Sequence, residues 1–209
     1  MYTPAAFAMQ NTDEMIQFIR QNNFGILFSH VNRHPNATHL PFVIRQIAPE
    51  KFVLLGHLAK ANPHWKALHE TEVLAVFQGP HAYISPSWYA ESQAVPTWNY
   101  VAVHATGTCH IIQDAQLLHE LLKETVRFHE PNSTLLDHMD EAFYVKMEQA
   151  VIGLEIEITS MEGTAKLSQN KSTDTIRGVV EGLRASPDKL AHDVAELMQR
   201  NLETLEKRT

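Results

Sequence analysis

The chain has 209 residues, 44% of them apolar and 20% charged, and its 24 acidic and 17 basic side chains leave a formal charge of −7. That length supports one well-buried core and is short for two independent ones. The acidic balance argues against a surface that binds nucleic acid by bulk attraction, and the single cysteine, Cys109, excludes an intrachain disulfide or a cysteine-rich zinc site and fits a reducing cytoplasm.

The first residues, MYTPAAFAMQNTDEM, lack a basic segment followed by a sustained apolar core. No run in the chain approaches ~20 apolar residues, so neither a secretory leader nor a membrane span is expected. Asn11 followed by Glu14 is a helix-start pattern, and Met15, Phe18 and Ile19 then share a face, which predicts a helix from Thr12 to Gln21. Asn22 and Asn23 break it. Phe24 to Val31 reads as a strand, Asn32 to Asn36 as a turn and Ala37 to Ile44 as a second strand, together a hairpin.

Phe52 to His57 and Val73 to Phe77 add strands, His81 to Ile84 a short one, and Tyr100 to Ile112 a long one in which Val101, Val103 and Ala105 alternate with Ala102, His104 and Thr106. Short strands with polar turns and few intervening helices predict a mainly β chain with helices (α+β), its antiparallel sheet closing into a small barrel. No Gly-rich dinucleotide fingerprint or P-loop is present. Asp114 to His129 carries Leu117, Leu118, Leu121, Leu122 and Val126 at helical spacing, for core packing. Pro131 to Ser133 reads as a loop, Leu135 to Val151 as a helix and Ile152 to Ser160 as a strand with Glu155 and Glu157 facing solvent. Gly163 to Ser172 is polar and basic. Helices are predicted over Thr173 to Ala185 and Asp188 to about Lys207, parted by Ser186 and Pro187, with a frayed tail.

Phe52 to Tyr100 holds the residues that suggest a site. Pro63 suits a first helical turn and Asn62 the cap before it. Free N–H groups at such a start, with the ammonium of Lys60, can cradle a phosphate. His57 and His64 lie in the same polar segment, and Trp65, Tyr83, Trp88, Tyr89, Trp98 and Tyr100 supply flat aromatic surface. An anion cradle with an aromatic lining suits a phosphorylated planar ligand; the plainer alternative is a well-packed loop. The 13 histidines include no HExxH pair and no strong zinc spacing, while a single axial haem ligand would leave no spacing to read. Cys109, on a strand, reads as a small buried apolar residue. Ser85 and Ser87 lie in no nucleophile elbow.

Met1-Tyr2-x-Pro4 with Phe7, Thr38-His39-Leu40-Pro41, GHLAKANPHW (56 to 65), FQGPHAYISPSWY (77 to 89), VPTWNYVAVHATG (95 to 107) and KLSQNKS (166 to 172) together resemble the PaiB-type family of FMN-binding negative transcriptional regulators. The resemblance implies an FMN-binding split β-barrel with inserted helices over residues 1–170, a C-terminal helical extension over 171–209 packed on the barrel, and a homodimer with FMN at the subunit interface. It also implies that Lys60 and Asn62 hold the FMN phosphate, that His57 lies by the ribityl chain or ring edge, and that the strand with Thr38 and His39 flanks the site. Trp98 and Asn99, with Lys166 and Gln169, would come from the partner subunit, and Ser85 joins the set by motif match. No catalytic residue is identified.

The resulting expectation is a cytoplasmic, homodimeric FMN-binding regulator. A flavin-dependent oxidoreductase or flavin reductase is the alternative, and a haem-binding or haem-degrading split-barrel protein the second. Direct DNA binding is not expected. The best basic patch, Lys166, Lys171, Arg177, Arg184 and Lys189, is interrupted by Asp174, Glu181 and Asp188.

Overall fold

A computed structural model describes residues 1–31, 34–91, 93–134 and 141–206. Of the turn expected over Asn32 to Asn36, Asn32 and Arg33 lie outside the described residues, as do the start of the helix expected from Leu135 and the end of the chain from Lys207. His34 to Asn36 are already strand, paired with Val31, His30 and Ser29. Among the described residues there are eight strands: β1 (Ala8–Met9), β2 (Phe24–Val31), β3 (His34–Pro41), β4 (Val43–Ala48), β5 (Lys51–Ala59), β6 (Thr71–Ile84), β7 (Thr97–Ile112) and β8 (Val151–Lys166). They form one sheet in the order β3-β2-β6-β7-β8-β5-β4, with β1 paired to β8. The helices are α1 (Thr12–Gln21), α2 (Ala115–His129), α3 (Glu141–Glu148), α4 (Thr173–Arg184) and α5 (Lys189–Glu206). No helix among the described residues is long and apolar enough to cross a membrane.

Internal contacts divide the chain into two units: Met1–Met15, Gln78–Val103 and Glu162–Thr209 make the first, Ile16–Phe77 and His104–Met161 the second. In the second unit β2 and β3 form the expected antiparallel hairpin, with Leu27 opposite Thr38 and Ile26 opposite His39. The strand expected over Ala37 to Ile44 is in fact two. The chain turns at Phe42, whose N–H donates to the Asn23 carbonyl at 2.8 Å while its own carbonyl accepts from Asn23 Nδ2 at 3.3 Å. Its ring meets Phe77 edge-on at 5.5 Å between centroids, and both rings are enclosed. From there β4 and β5 pair antiparallel, and Val43, Val53 and Leu55 pack on Leu121 of α2.

Two further departures concern α2 and α3. Leu117 is 60% exposed, whereas Leu118 and Leu121 are buried, so the leucine stripe of α2 is narrower than its spacing suggests. Asp114 caps that helix by accepting from the Leu117 N–H at 2.9 Å. The helix expected up to Val151 stops at Glu148, and Val151 already begins β8. Cys109 is fully buried, which pushes its thiol up to about 12.

In the first unit the C-terminal helices pack through Ile176, Val179, Val180 and Leu183 of α4 and Val194, Ala195 and Met198 of α5, all buried. Trp88 ends a 3-10 turn, Pro86–Trp88, and lies against a groove on α4 that exists because Gly178 and Gly182 are one turn apart. A Cβ on Gly182 would fall 2.3 Å from Trp88 Cδ2. Replacing a helical Gly by Ala ordinarily gains up to ~1 kcal/mol, but this clash costs ~1–3 kcal/mol. Gly182→Ala should therefore lower the urea midpoint, and the same change made on a Trp88→Ala background should raise it. A Gly182→Ala protein more stable than the native one would show that Trp88 does not fill the groove.

Candidate functional site

The second unit carries the segment that the sequence singles out. Asn62 and Pro63 start a single 3-10 turn, Pro63–Ala67, and Asn62 Oδ1 accepts from the His64 N–H at 3.0 Å, the cap expected from the residue types. His64 turns inward and is 2% exposed. Its Nε2 lies 2.7 Å from Ser29 Oγ on β2 and its Nδ1 2.8 Å from Thr38 Oγ1 on β3. Asn62 Nδ2 donates to the same Thr38 hydroxyl at 3.3 Å. Burial holds the His64 pKa below its usual value. The ring is therefore neutral at pH 7, with one nitrogen donating and the other accepting.

Two further bonds pin the backbone at Lys60, just ahead of this network. The Lys60 N–H donates to the Ala150 carbonyl at 2.8 Å, and the Lys60 carbonyl accepts from Trp65 Nε1 at 3.0 Å. The Lys60 ammonium is exposed and makes no ion pair among the described residues. It borders a cavity of about 270 Å³ shared with Trp65, Leu118, Val145, Glu148 and Gln149. Glu148 is engaged by His119, whose Nδ1 is 2.6 Å from its carboxylate.

His57 sits on β5 opposite Gly153 of β8, and its buried Nδ1 has no hydrogen-bond partner among the described residues. Such an orphaned atom costs ~1–3 kcal/mol, and burial lowers the pKa of this ring too. Thr38 and His39, adjacent on β3, face opposite ways. Thr38 meets His64, while the exposed His39 stacks on Phe24 at 6.3 Å between centroids.

The other expected site residues lie in the first unit. Ser85 caps the Pro86–Trp88 turn by accepting from the Ser87 N–H at 3.2 Å. Trp98 is 54% exposed and forms an aromatic shelf with Tyr83, edge-on at 6.2 Å, and His81. Asn99 is fully buried, and its Nδ2 donates to Ser168 Oγ at 2.9 Å. The Lys166 ammonium donates to the Thr97 hydroxyl. Gln169 is held locally, its Oε1 accepting from the Leu167 N–H at 2.8 Å and its Nε2 donating to the Ala165 carbonyl. Ser168 between them has φ 59°, the left-handed region that a non-glycine residue seldom adopts.

Of the residues expected at the site, Thr38 and Asn62 are thus joined directly in one network. Its centre, His64, and its far end, Ser29, received no role from the sequence. The only available signal was a polar residue at an inward position of an otherwise apolar strand.

The comparisons with known proteins agree with this reading of the fold. Residues 1–160 match the family described as "Putative FMN-binding domain". "Protease synthase and sporulation protein PAI 2" of Bacillus subtilis (strain 168) is 35% identical over 205 residues, which is 97% of this chain and 98% of that protein. "Uncharacterized protein AN0679" of Emericella nidulans is 31% identical over 232 residues, covering 87% of this chain and 90% of that one. Among solved structures, the flavocytochrome Anf3 of Azotobacter vinelandii superposes with a TM-score of 0.61 at 16% identity, over 76% of this chain and 69% of that chain. The FAD and heme binding protein of Mycobacterium smegmatis gives 0.60 at 14% identity, over 76% and 73%. At such identities the likeness is one of fold, and the mainly β split barrel with C-terminal helices expected from the sequence is the fold of this chain.

The lowered pKa of His57 and His64 sets a pH dependence. Both rings stay neutral in the folded chain, while in the unfolded chain they take up a proton near their ordinary value of 6.5. The unfolded state then binds more protons, so this stabilisation is complete above pH 6.5 and is lost as the pH falls towards the folded-state values. The melting temperature should drop between pH 7.5 and 5.5, and by less in His64→Gln. Equal drops in the two proteins would remove His64 from the account.

Proposed function

We propose, since the chain belongs to the PaiB-type family of FMN-binding proteins, that it is a cytoplasmic, homodimeric regulator whose FMN phosphate is held by Lys60 and Asn62. The observation that carries this reading is the preset Lys60 segment: an ammonium without a carboxylate partner among the described residues, beside a capped turn start fixed from below by His64. The donor set fits a phosphate, and the orphaned His57 Nδ1 fits a ligand atom by the ribityl chain or ring edge. The strand carrying Thr38 and His39 flanks the site. When bound, FMN supplies the redox chemistry, and the protein supplies position and electrostatics.

The dimer reading is supported by size. The cavity at Lys60, about 270 Å³, is at or below the ~300 Å³ lower end of ligand pockets. A whole flavin needs further walls. Trp98 and Lys166 of the partner subunit would complete it, with the buried Asn99 and the locally held Gln169 positioning the segments that carry them and Ser85 shaping the segment next to them. In the domain reading kept here, residues 1–170 are the flavin-binding barrel and 171–209 its helical extension.

A charge-assisted hydrogen bond contributes ~1.5–3 kcal/mol, so Lys60→Ala should weaken FMN binding roughly 10- to 150-fold and leave riboflavin binding unchanged. Titration by flavin fluorescence measures this, and the FMN-loaded protein should sediment as a dimer. A loss under threefold, or a monomer that still holds FMN, would refute the assignment.

Regulation through direct DNA contact is weakly supported, because the basic patch is partly neutralised within the chain. Arg177 pairs with Asp174 and Arg184 with Glu196, each at 3.5 Å. At ~150 mM salt an anisotropy titration against the protein's own upstream region should show no preference over a scrambled duplex. Sequence-preferring binding near ~10 nM would make the protein a direct repressor.

A further inference from the structure

Alternate residues of β2 lie in two different environments. Leu27 and Ser29 point inward and are buried, whereas Phe24 is 65% and Phe28 36% exposed, with Ile26 between them half-buried. The register carries this outer row sideways. Phe28 stands opposite Ala37 of β3 and Leu74 of β6, Ile26 opposite His39 and Val76, and Phe24 opposite Pro41. Residues that oppose each other across antiparallel strands share a side of the sheet. The rows therefore join into one face three strands wide, all of it within the second unit.

Single apolar side chains on a surface are ordinary, but a contiguous group of them marks a place where something docks. None of the residues just named is Asp, Glu, Lys or Arg. Glu72, the next position of the β6 row beyond Leu74, puts the first carboxylate at the rim. Phe24 is also held in place, since its ring stacks on His39 at 6.3 Å between centroids. An aromatic group presented in this way has little freedom left to lose on contact.

Charge and position both point to the occupant. A chain of charge −7 is repelled by its own copies, so a self-contact is favoured over surface without formal charge, the character of interface cores. Position agrees: β3 is the end strand of the sheet, and its Thr38 accepts from Asn62 of the Lys60 segment. A partner subunit that brings Trp98 to that segment arrives at this hairpin. We propose that the outer face of β2, β3 and β6 is where a second copy of the chain docks, with Phe24 and Phe28 as its anchors. The inference rests on the homodimer reading above and adds where the copies meet.

The test uses the full chain loaded with FMN. Phe28→Glu should weaken self-association in sedimentation by roughly tenfold or more, because an isologous contact feels each substitution twice. Phe24→Glu, at a more exposed position, should do the same, and both should keep the native near-ultraviolet circular dichroism. Phe28→Leu should retain the dimer. Leu117→Glu, the same change at an exposed leucine of α2, should leave it unaltered. Ala37→Cys places a thiol on the face, and the buried Cys109 does not compete with it. That thiol should react with a labelling reagent roughly tenfold more slowly than it does in a chain that also carries Phe24→Glu. Glutamate variants that still sediment as FMN-loaded dimers, or an Ala37→Cys thiol equally reactive in both backgrounds, would overturn the inference and leave the flavin reading standing. A native chain that is monomeric with FMN bound would overturn the inference and the homodimer reading together, and would leave the face to a different protein.

Discussion

The buried imidazole of His64 is the constraint from which the candidate site follows. A polar ring at 2% exposure is tolerable only if both nitrogens are satisfied, and Ser29 and Thr38 satisfy them from two neighbouring strands. Because His64 is the second residue of the Pro63–Ala67 turn, those two bonds also fix where the turn starts and how Asn62 caps it. Asn62 then spends its second group on Thr38, which closes the network. What remains outside is the Lys60 ammonium, carried on a backbone pinned at both its N–H and its carbonyl. A flexible side chain on a fixed base suits recognition of a compact anion, since little backbone ordering is left to be done on binding.

Hydrophobic alternation made most of this fold readable, and the misread places have common causes. The single strand β6 was read as two because Gly79 and Pro80 look like a break, yet the chain remains extended through them. The end of β8 was read as a polar connection, but Gly163 and Thr164 are buried because β1 pairs with them, Met9 opposite Gly163 and Ala8 opposite Thr164. No local pattern could reveal a partner more than 150 positions away. The turn at Phe42 depends in the same way on Asn23.

At the site, the cap residue Asn62 and the cation Lys60 were legible because capping is a local property. The role of His64 was not, since its partners are 35 and 26 positions distant. Nor could spacing show that Asn99 is enclosed while its neighbour Trp98 stays largely open, because the strand was expected to begin only at Tyr100, whereas β7 begins at Thr97 and turns the two residues to opposite sides. Composition hid the electrostatics as well. A chain of net charge −7 still gathers Lys166 and Lys171 at one cavity without a carboxylate in its wall, a property of placement that no sum over residues reports.

The central claim is that the Lys60 segment is the seat of the FMN phosphate, and phosphorus NMR of the bound flavin tests it most directly. A free phosphomonoester takes up a proton with a pKa near ~6. Held by an ammonium and a turn start, it should stay dianionic, so the bound resonance should be constant from pH 8 down to about 5.5, and Lys60→Met should restore its titration. A bound phosphate that titrates near ~6 in the native protein, as the free one does, would place it in solvent and contradict the account.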